Sequence, residues 1–156
     1  MYKKMITLTL IFIFIDQISK GLVNIYMNLN DSINIINNFF SLTYVHNYGA
    51  AFSILDGARF LFIIITIIAL NVIYFYFIKD KKLNNYEIVA YSMLLAGIVG
   101  NLIDRVVFGY VIDFFDFIIF GYDFAIFNIA DSFIVVSVIL LILQEVKNAR
   151  IFSRRR

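Results

Sequence analysis

The fold is decided by an uncharged run, FLFIIITIIALNVIYFYFI, which occupies positions 60–78. An α-helix needs about 20 mostly apolar residues to cross a bilayer, and three other stretches, 5–25, 88–107 and 129–146, meet or approach that length. The chain of 156 residues is 62% apolar, has a mean hydropathy of +0.89 and contains no proline to interrupt a helix. We therefore predict an α-helical membrane protein with four transmembrane helices, in which residues 1–156 form a single membrane-embedded domain.

Basic residues flank the predicted helices on one side. Most of the 13 lysines and arginines precede the first helix, separate the second from the third, or follow the fourth: Lys3, Lys4, Lys79, Lys81, Lys82, Lys147, Arg150, Arg154, Arg155 and Arg156. Because basic loops stay in the cytoplasm, both termini are expected there, with segments 26–59 and 108–128 external. The net charge of +2 sums opposite faces and predicts no nucleic-acid partner, whereas the basic C-terminal tail is expected to meet anionic membrane lipids.

The first predicted helix is expected to be retained. Lys3 and Lys4 precede an apolar run, as in a secretory signal peptide, but the run leads into Asp16, Gln17 and Lys20. A small-residue cleavage site would stand there in a signal peptide. We therefore interpret the segment as an uncleaved transmembrane helix.

Polar residues of three predicted helices fall at one depth, the outer third of the membrane. They are Asp16, Lys20, Asn101, Asp104, Arg105 and Asp131. An ionised side chain at bilayer depth costs several kcal/mol, so acids kept there are functional candidates. Because these polar residues lie at one depth, we predict that they form one site.

Each member also has a structural interpretation. Asp16 and Lys20 are spaced i, i+4 in the favourable order, which favours a pair that orients the helix end and supports the site. Asp104 and Arg105 are interpreted either as interfacial charges that snorkel outward or as partners for Asp131. The small residues Ala96, Gly97 and Gly100 indicate close helix packing rather than chemistry.

Most catalytic chemistries are excluded by composition. The chain has no cysteine and one histidine, His46, so thiolate nucleophiles, a two-histidine zinc peptidase helix and bis-histidine haem are ruled out. No nucleophile-elbow pattern surrounds any serine, and His46 is interpreted as a turn or interfacial residue rather than a base. We expect no metal and no cofactor, and the remaining chemistry is that of carboxylates.

Two acids held a few ångströms apart share one proton, so one member acts as acid and the other as base. This suits hydrolysis of a peptide bond. Four aspartates lie near the outer boundary: Asp113, Asp116, Asp123 and Asp131. The residues alone do not select the pair, and Asp116 is expected on the same helical face as Asp113.

The external segments predict the walls of a site. Residues 33–45 are prone to form a strand and end in Asn47-Tyr48-Gly49, which predicts a small sheet or hairpin. Residues 109–127 carry many aromatic side chains with interspersed acids, which favours a short helix lying in the interface. An aromatic belt without chemistry is the alternative interpretation.

Two other classes of function compete on these features. A proton-coupled transporter also keeps acids in helices, but its charges are expected near the midplane between inverted repeats. A non-catalytic assembly factor would use the charges only to pair helices. The polar residues cluster outward instead, but on the residues alone the transporter stands nearly level with the hydrolase.

Five short motifs then occur in order: Asp16-Gln17-Ile18-Ser19-Lys20, Asn47-Tyr48-Gly49-Ala50-Ala51-Phe52-Ser53, Gly100-Asn101-Leu102-Ile103-Asp104-Arg105, Val111-Ile112-Asp113-Phe114 and Phe127-Asn128-Ile129-Ala130-Asp131-Ser132. Their order and spacing, with the chain length and four helices, resemble the bacterial lipoprotein signal peptidases, or signal peptidase II. The resemblance covers nearly the whole chain. It implies an aspartic endopeptidase of the bacterial cytoplasmic membrane, active near the outer face. Such an enzyme removes signal peptides from prolipoproteins by cutting before the diacylglyceryl-modified lipobox cysteine.

The resemblance also implies roles for particular residues. It implies Asp113 and Asp131 as the catalytic pair, Asn47, Asn101, Arg105 and Asn128 as lining the site for substrate and the inhibitor globomycin, and Asp16, Lys20, Gly49 and Asp104 as supporting residues. It implies a small external β cradle, and a monomer is expected because four helices can enclose the site. Ala125 stands where similar proteins usually have proline, which would pre-set the backbone before the last helix.

Overall fold

The computed structural model describes residues 1–49 and 57–153 of the chain, so positions 50–53 of the second motif lie outside the described residues. The helices are α1 (Tyr2–Tyr26), α2 (Arg59–Val72), α3 (Asn85–Val107) and α4 (Ile129–Ser153). The strands are β1 (Ser32–Ile36), β2 (Phe40–Asn47), β3 (Val111–Ile119) and β4 (Tyr122–Asp123).

The four predicted spans are confirmed as four helices of sufficient length and apolarity to cross a membrane. The second span changes hydrogen-bond register, because α2 continues as a π-helix over Ile73–Ile78. The third span begins with a capping box in which Asn84 and Glu87 exchange side-chain and backbone hydrogen bonds. Many apolar side chains on the outer surfaces of the helices are exposed, as expected where lipid replaces water.

Helix α3 is the centre of the bundle and packs against both α1 and α4. Two glycines allow this close approach. A Cβ on Gly97 would collide with the backbone oxygen of Ala130 on α4, and a Cβ on Gly100 would lie 2.5 Å from the Asp16 carboxylate on α1. The small-residue spacing therefore serves packing, as predicted.

The strands form one antiparallel meander in the order β1-β2-β3-β4. Its core pairing is β2 with β3, in which Asn47 lies opposite Val111 and Val45 opposite Asp113, with a bulge between Leu42 and Val45. The prediction of a small sheet is confirmed. Tyr44, Ile112 and Phe114 pack against Met27, so the sheet is fixed to the end of the bundle that we call the sheet end.

The expected interfacial helix over residues 109–127 is wrong. Residues 111–119 form β3 and residues 122–123 form β4. Contiguous aromatic and β-branched residues fit a pleated, half-buried surface, and β2 supplies the paired edge that a lone segment lacks. Since there is no helix here, Asp113 and Asp116 do not share a helical face.

Candidate active site

Asp113 is held in the sheet opposite Val45 of β2. It lies in β3, its side chain is 2% exposed, and each carboxylate oxygen accepts one hydrogen bond. Asn128 Nδ2 donates to Oδ1 over 2.6 Å, and Asn47 Nδ2 donates to Oδ2 over 2.9 Å. The Asn47 amide is itself oriented by Gly49, whose backbone N–H donates to Asn47 Oδ1 over 2.9 Å.

Asp131 is fixed by the way in which α4 begins. Asn128 precedes the helix, and its Oδ1 accepts from the backbone N–H of Asp131 over 3.0 Å. Asp131 Oδ2 in turn accepts from the backbone N–H of Asn128 over 3.2 Å. This reciprocal pair is a capping box built from two predicted site residues. It orients the Asp131 carboxylate toward the sheet end.

Phe127, which precedes Asn128, joins α4 to the sheet. The backbone of Phe127 bridges to Phe115 of β3 in both directions and accepts from Phe114 N–H. Residues 127 and 128 therefore cannot move without β3. Because Asn128 contacts both aspartates, this connection brings the carboxyl groups of β3 and α4 into one site.

Burial sets the proton affinity of Asp113. Loss of solvation, and then the neighbouring charge of Asp131, raise the pKa of Asp113 from 3.8 to about 7, although Asn47 and Asn128 oppose the rise. A carboxyl group with this pKa holds a proton at near-neutral pH. The pair can therefore supply both an acid and a base.

An ion-paired cluster lies directly behind the two aspartates. Lys20 Nζ lies 2.9 Å from Asp16 Oδ2 and 2.9 Å from Asp104 Oδ2, and all three side chains are almost completely buried. The second oxygen of Asp16 accepts from the backbone N–H of Ala130 at the start of α4, over 2.9 Å. The cluster thus joins three helices at the depth of the site.

The predicted i, i+4 pair of Asp16 and Lys20 is confirmed. The expectation that Asp104 is an interfacial charge that snorkels outward is wrong, because it is buried against Lys20. Gln17, for which no role in the site was predicted, donates to Asp16, to Asp104 and to the backbone oxygen of Gly100. Its position beside Asp16 within an apolar run was the available signal.

Asn101 and Arg105 complete the α3 side of the site. Asn101 Nδ2 donates to Asp131 Oδ1 over 2.7 Å, so the α3 partner of Asp131 is Asn101 rather than Asp104. The Arg105 guanidinium donates to the backbone oxygen of Gly49 over 3.0 Å and stacks on the ring of Phe62. Among the described residues it makes no ion pair with either aspartate.

A cleft of about 510 Å³ opens beside Asp113. Besides Asp113, its lining includes Asn47, Asp116, Asp123 and Ala125. Asp116 Oδ2 accepts from the Thr43 hydroxyl over 2.6 Å. Asp116 therefore stands in the same cleft as Asp113, while its hydrogen bond holds it to the neighbouring strand.

His46 also lines this cleft. Its ring stacks on Tyr110 with centroids 3.6 Å apart, and its Nε2 lies 2.8 Å from the Tyr44 hydroxyl. Since Tyr44 uses its one proton to donate to Asn24, His46 Nε2 must be the donor to Tyr44. Loss of solvation lowers the pKa of His46, so the ring is a neutral part of the wall.

The structure brings together every predicted site residue. Asp113, Asp131, Asn47, Asn101 and Asn128 form one hydrogen-bonded group. Asp16, Lys20 and Asp104 lie behind it, and Gly49 and Arg105 lie beside it. Within residues 1–49 and 57–153, no group of three or more histidine, aspartate or glutamate side chains is arranged to hold a metal ion.

Four membrane-spanning helices with two neighbouring carboxyl groups at one end define the class of the protein, a membrane-embedded aspartic peptidase. The family model described as signal peptidase (SPase) II matches residues 8–147. The chain therefore belongs to the signal peptidase II family, and it is a multi-pass bacterial membrane protein.

Relatives and solved structures agree with this family. The chain is 45% identical over 151 residues to the lipoprotein signal peptidase of Staphylococcus haemolyticus (strain JCSC1435), covering 94% of this chain and 96% of the relative. It is 46% identical over 136 residues to that of Staphylococcus aureus (strain MRSA252), covering 87% and 83%. A bacterial membrane enzyme structure determined by the in meso method at 2.3 Å aligns with a TM-score of 0.84 and 44% identity, covering 93% of this chain and 88% of the other.

Proposed function

We propose that this protein removes signal peptides from prolipoproteins by hydrolysing the peptide bond before a diacylglyceryl-modified cysteine, with Asp113 and Asp131 as the catalytic pair. Membership of the signal peptidase II family supports the substrate class. The observation that carries the residue assignment is the bridge through Asn128, which contacts both carboxyl groups.

The proton positions follow from the surroundings of each carboxyl group. Asp113, whose pKa is raised to about 7, holds the shared proton. Asp131 accepts hydrogen bonds on both oxygens, from Asn101 and from the Asn128 backbone, and these fix its carboxylate as the partner of Asp113. We assign Asp131 as the base and Asp113 as the acid.

Hydrolysis then proceeds in two steps, each with two proton transfers. Asp131 takes a proton from water as the water oxygen bonds to the scissile carbonyl carbon, and Asp113 gives its proton to the carbonyl oxygen. When the tetrahedral intermediate collapses, the C–N bond breaks and the leaving amine takes the proton from Asp131, while the carbonyl oxygen returns its proton to Asp113. Both carboxyl groups end as they began.

Binding is assigned to the donors around the pair. Arg105 and the amides of Asn47, Asn101 and Asn128 would hold peptide carbonyls or the ester region of the lipid, and also the inhibitor globomycin. A substrate tethered by acyl chains and an apolar helix reaches the site laterally at a fixed depth, which supplies much of its orientation.

The charge pattern supports an orientation. Basic residues lie at the start of α1, between the second and third spans and at the end of α4, away from the sheet end, so we propose that both termini are cytoplasmic and that the site is at the outer face. The basic C-terminal segment would meet anionic lipids. The polar groups meet in a single cluster at the sheet end rather than at the midplane between repeats, and family membership gives the transporter alternative no support.

The test is cleavage of a synthetic lipobox peptide by purified protein in detergent. With a diacylglyceryl-modified cysteine we expect two products whose masses locate the cut immediately before that cysteine. The same peptide without the lipid is the control and is expected to be cleaved far more slowly. Absence of cleavage by a folded protein, or a cut elsewhere, contradicts the proposal.

A further inference from the structure

We propose that Lys20 is a positioning residue that fixes the side-chain amide of Asn101 so that its N–H groups face Asp131. This inference rests on the proposed function, because it assigns a task within that reaction. Lys20 makes no hydrogen bond to Asp113 or Asp131 among the described residues. It would act on the base through one intermediate side chain.

The hydrogen-bonding capacity of Lys20 is completely used. An ammonium group has three N–H donors and no acceptor. Lys20 Nζ has three acceptors, each at 2.9 Å: Asp16 Oδ2, Asp104 Oδ2 and Asn101 Oδ1. Since Lys20 is 2% exposed, water does not compete for these donors.

This arrangement dictates which end of the Asn101 amide faces which neighbour. The atom next to an ammonium must be an acceptor, so Asn101 presents Oδ1 to Lys20. Its Nδ2 consequently faces Asp131 Oδ1 at 2.7 Å. Rotating the amide by 180° would place donors against the Lys20 ammonium and an oxygen against the carboxylate.

A second donor to Asn101 Oδ1 is weaker. Asn128 Nδ2 approaches it at 3.1 Å, but the same nitrogen also approaches Asp113 Oδ1 at 2.6 Å and the Ile112 oxygen at 3.3 Å. Two hydrogens serve three acceptors, and the shortest contact is with Asp113. The charged Lys20 donor makes the stronger bond, so it supplies most of the orientational preference.

The charge of Lys20 also reaches the reacting pair, since it opposes the rise in the pKa of Asp113. The other titratable or charged groups near Asp113 come from every surrounding element: Asp131 of α4, Asp104 and Arg105 of α3, His46 of β2, Asp116 of β3 and Asp123 of β4. None of these others donates to Asn101 Oδ1. Loss of Lys20 is therefore expected to change the pH dependence of kcat as well as its magnitude.

The primary test is Lys20→Met, which keeps the length of the side chain and removes its donors. We expect kcat for the lipidated peptide to fall by about 10- to 100-fold, with a much smaller change in KM because Arg105, Asn47 and Asn128 still bind the substrate, and the alkaline limb of the kcat profile to move to higher pH. In an Asn101→Leu background, Lys20→Met is expected to change kcat little further. Additive losses in the double variant would overturn the proposal.

The matched control is Ser92→Ala. Ser92 is fully buried on α3 and contacts α1 through its bond to the Met5 oxygen, but it lies outside the network. Its loss tests packing between the same helices. If Lys20→Met changes kcat and the pH profile no more than Ser92→Ala does, the positioning role is refuted. Wild-type protein that fails to cleave would instead refute the proposed function.

Lys20→Met leaves two buried acids without a cation and risks failing to fold. The triple variant Lys20→Met, Asp16→Asn, Asp104→Asn leaves no unpaired charge, and the same loss of kcat is expected from it. An NMR titration of wild-type protein needs no variant. The chemical shifts of the Asn101 side-chain amide protons should change with pH, with the same midpoint as the kcat profile. Amide protons whose chemical shifts do not change with pH would overturn the proposal.

Discussion

Asn128 is the residue that connects the two aspartates. Its Nδ2 donates to Asp113 over 2.6 Å, and its Oδ1 caps α4 through the backbone of Asp131. We predict that Asn128→Ala lowers the free energy of unfolding by about 1–3 kcal/mol, since it removes a helix cap and leaves a buried acceptor without its donor. We also expect kcat to fall by about 100-fold. Chemical denaturation in detergent and peptide cleavage measure the two effects.

Asn71→Ala is the control for that variant. Asn71 Nδ2 donates to the Ile67 oxygen on its own helix, far from the site. Its loss is expected to leave kcat unchanged. Equal kcat values for the two variants would show that the Asn128 side chain does not organise the pair.

As the proposed acid, Asp113 is expected to give the reaction its dependence on pH. Its pKa is raised from 3.8 to about 7, so the required proton is lost as pH rises through 7. We predict that kcat falls about tenfold for each pH unit above that point, as one limb of the bell-shaped profile expected of two acids that share one proton. A kcat profile that stays flat from pH 6 to pH 9 would contradict this assignment of the acid.

The same shift affects stability. The folded protein binds the Asp113 proton more tightly than the unfolded chain does, so this contribution to stability is complete below about pH 4 and is lost as pH rises to about 7. The temperature of thermal unfolding of the wild-type protein should therefore fall as the pH rises over that window. In Asp113→Asn, which has no proton to lose at this position, the trend should be reduced.

Residue-level prediction from the sequence succeeded where the signal was local. The spacing of Asp16 and Lys20 predicted their contact. The capping box of Asn128 and Asp131 was not predicted, although its signal lies within four consecutive residues. The burial of Asp104 could not be predicted in this way. It depends on α1 and α3 meeting face to face, which no single helix sequence specifies.

At the scale of elements, the approach of α3 to α1 depends on Gly100. A Cβ there would lie 2.5 Å from the Asp16 carboxylate, which is already held by Lys20 and Ala130. We predict that Gly100→Ala destabilises the protein by about 1–3 kcal/mol and lowers activity, because the acid cluster must shift. Thermal unfolding in detergent measures the change.

Gly21→Ala is the matched control on α1, where a Cβ has nothing within 4 Å. Alanine is the better helix former by about 1 kcal/mol. This variant is therefore expected to unfold at the same or a higher temperature. A similar loss of stability in both variants would argue against the close contact at Gly100.

The elements also show where sequence patterns stop being informative. Length and apolarity identify the four spans, but the aromatic segment 109–127 satisfies no single period. Its strand β3 pairs with β2, and Asp113 lies opposite Val45, far away in sequence. A lone hairpin is marginally stable, so the predicted strand over residues 33–45 required a further partner. That requirement was the available signal for β3.

At the scale of the whole molecule, the described members of the candidate site all come from one chain. They lie on α1, α3, α4, β2 and β3, except Gly49, which follows β2, and Asn128, which precedes α4. We therefore predict an active monomer, whose mass in detergent by light scattering equals that of one chain after subtraction of the micelle. Specific activity should stay constant on dilution, and a loss of specific activity on dilution would indicate that an oligomer is required.

We propose that two aspartates, and not merely a group of acids in a cleft, perform the hydrolysis. The most direct measurement is single-turnover cleavage of the lipidated peptide by Asp113→Asn, Asp131→Asn and Asp116→Asn, each shown to be folded by its thermal unfolding. Asp116 is the matched control because it lines the same cleft as Asp113. We predict that the first two variants lose cleavage by at least about 100-fold and that Asp116→Asn retains it. Undiminished cleavage by either of the first two would contradict the account.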